Sequence, residues 1–237
     1  PIPVARYQNE TEAKLAEGQL RAAQLPALVV KDEDLQVDKP NRRIRKIAIN
    51  VIGGTTLTVT IEGFDEEVTI NASDIVLIVE GRVRFYESDA TEENKSFGKT
   101  AREITEATEN VNEQTLLDIY TRSLEKSFRI RAESFDYSGL GSKMKLTALE
   151  NLRVLQTVLR DIAKEAIYDT DFKQATKFLE PIWPYAQRQQ SWGLKRNKIL
   201  GTGKVATRSV HYKDNELQFS RYSRLHYYLL PKSGGEK

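Results

Sequence analysis

Cysteine is absent from the 237 residues, histidine occurs twice and methionine once. The first absence removes disulfides, thiolate nucleophiles, iron–sulfur clusters and thiolate zinc sites together. The second leaves only His211 and His226 for imidazole chemistry. With no His-Glu-x-x-His pattern either, no transition-metal site is expected. No stretch approaches the roughly 18 consecutive apolar residues that a membrane-spanning helix needs. The opening, PIPVARYQNETEAK, lacks the basic segment and apolar core of a secretory leader, so a cytoplasmic location is the expectation. The Asn-x-Ser/Thr triplets at Asn9, Asn71 and Asn94 are then read as chance.

Two glycine clusters also fall short of nucleotide motifs. In LGTGKVA, Lys198 stands where a phosphate-binding loop has its first glycine, and Val205 follows the lysine in place of Ser or Thr. GLGSK at 139–143 lacks the third glycine of a dinucleotide fingerprint. Both read as turns. What remains is ordinary globular composition, 39% hydrophobic and 30% charged, in a chain long enough for one large or two small domains. The net charge of +2 conceals a segregation. Between Glu62 and Asp136 there are 18 acids and 9 bases, whereas Lys195–Lys232 holds 9 bases and 2 acids. Such a division either steers an anionic partner or is answered within the fold.

The first part reads as strand–helix–strand. IPVARY is apolar and extended; Asn9 with Glu12 marks a helix start; Ala16, Leu20 and Ala23 share one helical face; Pro26 stops it before ALVV. KDEDLQVDKP then reads as a linker. In VARYQNETEAKLAEGQLRAAQLPALVV, residues Glu12, Ala13, Leu20, Ala22, Ala23, Pro26 and Ala27 resemble the start of a small bacterial signal-transducing domain. Gln24 takes the place of that family's usual glycine. The resemblance implies a ferredoxin-like unit and brings no established chemistry.

From Arg42 the period becomes two. RIRKIAINV, TTLTVTIE, EEVTI, DIVLIV and RVRFYES are β-branched, with Gly53–Gly54 as a hairpin signal and Gly63 and Gly81 as further punctuation. Residues 90–114 are polar and charged, and predict a long excursion, partly disordered or weakly helical around 99–109. TLLDIYTRS and SFRIRAESFDYS follow as strands. Thr147 and Glu150 form a capping-box pattern ahead of a stripe of Leu149, Leu152, Leu155, Leu159 and Ile162, and a shorter helix ends at Pro181. Seven strands followed by a long helix is the element order of a pleckstrin-homology-like barrel, an analogy of order alone. In VATRSVHY and QFSRYSRLHYYLL, the two-residue spacing of Leu217 and Phe219 and of Leu225, Tyr227 and Leu229, with Asp214–Asn215 as the turn, predicts a terminal β-hairpin.

The expected architecture is α+β in three parts: a strand–helix–strand unit (1–38), a mostly antiparallel sheet plus helix with a polar insertion at 90–114 (39–180), and a basic aromatic terminal segment (181–237). Asp118, Glu133 and Asp136 are expected to form cross-strand charge pairs with Arg122, Arg129 and Arg131. The start of the long helix, with Lys143 and Lys145, is either an anion site or a capped turn. No catalytic residue, metal ligand, cofactor or small-molecule substrate is assigned. The preferred function is non-enzymatic: a regulatory, signalling or assembly protein working through a protein partner or a second copy. The alternative is nucleic-acid or ribosome binding, because arginines interleaved with aromatic rings suit single strands. An unrecognised enzyme comes third. The candidate interaction surface is Trp192, Lys195, Arg196, Lys198, Arg208, Arg221, Tyr222, Arg224 and Tyr227.

Overall fold

The computed structural model describes residues 2–51, 54–64, 66–94, 102–195 and 205–231. They form a mixed α+β protein with strands β1 (Arg42–Asn50), β2 (Thr56–Ile61), β3 (Glu67–Asn71), β4 (Ile75–Asn94), β5 (Arg102–Thr121), β6 (Phe128–Arg131), β7 (Ile167–Asp169), β8 (Ala186–Lys195) and β9 (Val205–Asp214). The helices are α1 (Glu10–Ala22), α2 (Ala148–Ile162), α3 (Phe172–Leu179) and α4 (Glu216–Tyr228). Among the described residues no helix is long and apolar enough to cross a membrane. The chain divides into two compact units. The first gathers Pro1–Arg82, Thr115–Pro184 and Gln218–Lys237; the second gathers Val83–Gln114 and Tyr185–Leu217.

In the first unit the strand order is β3-β2-β1-β6-β5-β4, with β7 beside β4. The predicted β1–β2 hairpin forms, Ile49 opposite Leu57. Period two is plain in β2, where Leu57, Val59 and Ile61 are buried and the intervening threonines are half-buried. Those residues join Ile78, Leu117, Ile119, Phe128 and Ile130 in one core under Leu152, Leu155 and Leu159 of α2. Each such burial contributes about 1.5–3 kcal/mol. The capping box of α2 is complete: Thr147 accepts from the Glu150 amide, and Glu150 reaches back to the Thr147 amide. Two pairings, β1–β6 and β4–β7, are parallel, which an up-and-down meander would not contain.

Four expectations are corrected. The helix of the N-terminal part stands, with Asn9 accepting from the Glu12 amide at 2.9 Å, but 2–7 and 25–30 enter no ladder among the described residues. Apolar extended sequence makes a strand only where a partner edge receives it. At the end of α1, Gln24 takes φ 60° in the left-handed position favoured by glycine, and the Leu25 amide reaches the Leu20 carbonyl at 2.9 Å. Next, 75–79 and 82–88 are one strand rather than two, running straight through Gly81. A Cβ at that position would lie 2.3 Å from the Phe219 ring, so the glycine makes room for an aromatic side chain instead of turning the chain.

The polar stretch is strand too: β4 runs to Asn94 and β5 starts at Arg102, so 102–109 is extended and not helical. Pairing with β4 overrides the helix preference of its Glu and Ala residues. The terminal hairpin is also wrong. Residues 205–214 do form a strand, but β9 pairs with β8 and β4, and 216–228 is α4. Leu225 and Tyr227 mimic alternation, while Phe219, Tyr222 and Leu225, the apolar residues buried on α4, are spaced three apart. Asp214 Oδ1 accepts from the Glu216 amide at 3.1 Å at the helix start.

In the second unit β9 lies antiparallel between β4 and β8. Its ladder to each runs through ten consecutive pairs, from Asp214 opposite both Phe85 and Ala186 to Val205 opposite both Asn94 and Lys195. β5 takes the other side of β4.

Candidate interaction surface

The nine sequence candidates divide between the units. Arg221, Tyr222, Arg224 and Tyr227 lie on α4 in the first. Trp192 and Lys195 lie on β8 and Arg208 on β9 in the second, with Trp192 directly opposite Arg208. Arg196 and Lys198 fall outside the described residues.

Helix α4 is docked by polar contacts. Tyr222 is 1% exposed and Arg224 4%. The Arg224 guanidinium donates to the Lys39 carbonyl and sits 5.7 Å from the Tyr120 ring centroid. Tyr227 stacks on Tyr120 at 4.8 Å and donates to the Arg122 carbonyl at 3.2 Å. Gln218 donates to the Trp183 carbonyl at 2.9 Å. Arg221 is half-buried, and burial lowers its pKa. At the centre Arg129 grips Asp118 with two bonds, 2.6 and 2.8 Å, realising the cross-strand pair expected of β5 and β6. Ser223 donates to the same carboxylate at 2.8 Å and lies 2.8 Å from the Tyr120 hydroxyl, whose pKa burial pushes up. Every member is nearly or fully buried, as such a network requires if its lone pairs are to be satisfied.

A second clamp holds the other side of α4. His226 Nδ1 meets Asp169, and Tyr222 donates to the same carboxylate at 2.9 Å with its ring 4.2 Å from the imidazole. Burial pushes the Asp169 carboxyl up, but hydrogen bonds from His226, the Asp171 amide and Tyr222 outweigh it, so the pKa lies below the usual value. An acid–imidazole pair resembles half of a general-base arrangement, yet its partners here tie α4 to the end of β7. At the start of α2, the Glu150 carboxylate already takes the Thr147 amide and hydroxyl, at 3.2 and 2.8 Å. The capped-turn reading accounts for that helix end.

The second unit is different in kind. Register places Phe85, Glu87 and Asp89 on one face with Tyr212, Val210 and Arg208 and with Arg188 and Gln190. Tyr86 and Ser88 share the opposite face with Lys213, His211, Gln187 and Gln189. On the first face Arg208 Nε donates to both Asp89 oxygens, at 3.0 and 2.9 Å, holding that carboxyl below its usual pKa. On the second, Lys213 lies 4.7 Å from the Tyr185 ring centroid. Glu87, Arg188, Gln190, His211, Gln187 and Gln189 are all exposed, whereas Val210 and Ser209 in the middle of β9 are buried, so solvent reaches both faces along β8. A hollow of about 160 Å³ on the first face, lined by Phe85, Asn112, Arg188 and Tyr212, is smaller than the roughly 300 Å³ of a small-molecule site.

The edge of this sheet is its distinguishing feature. β8 ends the strand order and pairs with β9 alone among the described residues. Its ladder contains no bulge, and its sequence, AQRQQSWGLK, contains no proline and no acid. Gln187–Ser191 is exposed throughout. Natural edges are usually shortened, bulged, charged or covered because unpaired amides and carbonyls recruit another strand. β8 is long and regular, with Arg188 and Lys195 its only charges.

Charge and aromaticity singled out Trp192 and Lys195, but no strand was expected at 186–195, and Gln187, Gln189, Gln190 and Ser191 were missed. The available signal was a proline-free glutamine run directly after Pro184. Comparison with protein-family models, with characterised proteins and with solved structures finds no match to this chain.

Proposed function

We propose that this protein is a non-enzymatic interaction and assembly protein whose recognition element is the open edge of β8, and that a second copy of the chain occupies it. The observation that carries this reading is a ten-residue, bulge-free edge strand whose residues Gln187–Ser191 are all exposed. Strand addition uses the backbone for affinity and alternate side chains for register. Antiparallel self-pairing centred on Gln189 sets Arg188 opposite Gln190 and Gln187 opposite Ser191, partners on the same face, so no like charges meet and Gln189 faces its own copy. The first unit serves as the scaffold, with its buried Asp118–Arg129 pair and polar-docked α4.

The nucleic-acid alternative draws on the basic aromatic segment 195–232, which among the described residues holds Arg208, Arg221, Tyr222, Arg224 and Tyr227. With Tyr222 and Arg224 buried and Arg208 paired to Asp89, the observations favour the protein reading. Two single variants test it, Gln189→Pro and Gln190→Pro. In an antiparallel edge strand, neighbouring amides point alternately to β9 and to solvent. One proline therefore removes an outward donor and abolishes self-association with the fold intact; the other breaks the ladder to β9. Self-association surviving in both folded variants overturns the reading.

A further inference from the structure

Leu146 is 102% exposed and Met144 54%, within a stretch, Gly141–Thr147, whose every residue is exposed. Two apolar side chains alternate there with Lys143 and Lys145. The stretch is firmly held. Asn151, 5% exposed, accepts from the Lys145 amide at 2.6 Å and donates to the Lys145 carbonyl at 3.1 Å. Thr147 and Glu150 close the capping box immediately beyond.

That clamp explains the exposure of Leu146. A capping box is ordinarily joined by a staple, in which the apolar residue before the N-cap packs on the fourth residue of the helix. Here the first position is Leu146 and the second is Asn151, a polar side chain already committed to the Lys145 backbone. Leu146 is left pointing outward from a rigid base, and the apolar contact that would normally cover it is missing by construction. An isolated exposed leucine is unremarkable. A fully exposed leucine and a half-exposed methionine, alternating in sequence with two lysines on a backbone held at Lys145 and Thr147, form a presented surface.

We infer that this loop docks on an anionic lipid surface, with Met144 and Leu146 entering the acyl boundary while Lys143 and Lys145 meet headgroup phosphates. The charge selects the partner: both lysines are cationic and exposed, and their flexible stems let the ammonium groups stay at the phosphate level while the apolar tips go deeper. A protein pocket would suit one apolar anchor, whereas alternation of lysine and apolar tips along an exposed loop suits a planar interface. The contact is independent of the β8 edge, which lies in the other unit.

The full-length chain is floated with vesicles of phosphatidylcholine and phosphatidylserine, and with phosphatidylcholine alone. Partition is expected only onto the serine-containing vesicles, and raising salt weakens it. Lys143→Gln and Lys145→Gln each reduce it about fivefold. Leu146→Asp reduces it at least about tenfold, and its full exposure leaves the fold unaffected. In Leu146→Trp the indole emission shifts to the blue on phosphatidylserine vesicles. Equal partition onto both vesicle types, no partition at all, or Leu146→Asp behaving as the parent overturns the inference. If Leu146→Asp instead changes self-association, the loop belongs to a protein contact and the lipid assignment fails.

Discussion

Replacing Arg129 by methionine removes one half of an ion pair in the interior of the first unit. Its side chain is 6% exposed and that of Asp118 0%, and the two bonds between them are 2.6 and 2.8 Å. Breaking such a pair strands a charge, which costs about 3–5 kcal/mol against a typical total stability of about 5–15 kcal/mol. The guanidinium also lies 5.1 Å from the Phe219 ring centroid, so methionine retains the packing there but loses the cation–π attraction. The double variant Arg129→Met/Asp118→Leu removes both charges, and Ser223 and Tyr120 keep each other as hydrogen-bond partners at 2.8 Å. It recovers to within about 2 kcal/mol of the parent. Urea unfolding followed by circular dichroism gives both values. Emission from Trp183, which is 4% exposed and whose carbonyl receives Gln218 of α4, reports whether that helix loosens first. A single variant within about 1 kcal/mol of the parent, or a double variant worse than the single, refutes the assignment of this pair as the centre of the α4 dock.

Three further substitutions probe the same unit. Gly81→Ala places a methyl 2.3 Å from the Phe219 ring and 3.1 Å from Phe172, and is expected to destabilise by about 1–3 kcal/mol. Adding Phe219→Leu changes that cost, and strict additivity of the two would show that they do not touch. Asp169 has its pKa lowered in the folded state, so it contributes stability that is present above the unfolded value, about 3.9, and lost as pH falls through the folded one. Asp169→Asn therefore unfolds more readily at neutral pH and shows a shallower loss of stability in acid; an unchanged acid limb in urea titrations counts against the clamp.

The regular half of the fold was legible because its signals are local. The alternation of Leu57, Val59 and Ile61, the Thr147–Glu150 capping box and the leucine stripe of α2 each lie within a few residues of one another. What was misread depends on distant partners. Gly81 looks like a turn until Phe219 is placed over it. Residues 102–114 have the composition of a solvated helix and become strand because β4 offers them an edge. In α4 the aromatic spacing satisfies two periods at once, and the decision falls to buried polar contacts with Asp118, Asp169 and Lys39 that no window of sequence contains. The candidate surface was legible only in part for the same reason. That β8 carries glutamine and no proline is written in the chain, but that it ends the sheet is a property of topology. The exposure of Leu146 was within reach, since Asn151 stands one residue beyond the capping glutamate where an apolar staple partner belongs.

The account stands or falls on the β8 edge. Sedimentation equilibrium of the full-length chain, run beside Gln189→Pro and Gln190→Pro with circular dichroism as the check on folding, measures it directly. A dimer is expected for the parent and a folded monomer for one of the two proline variants. A monomeric parent, or a dimer persisting in both folded variants, would contradict it.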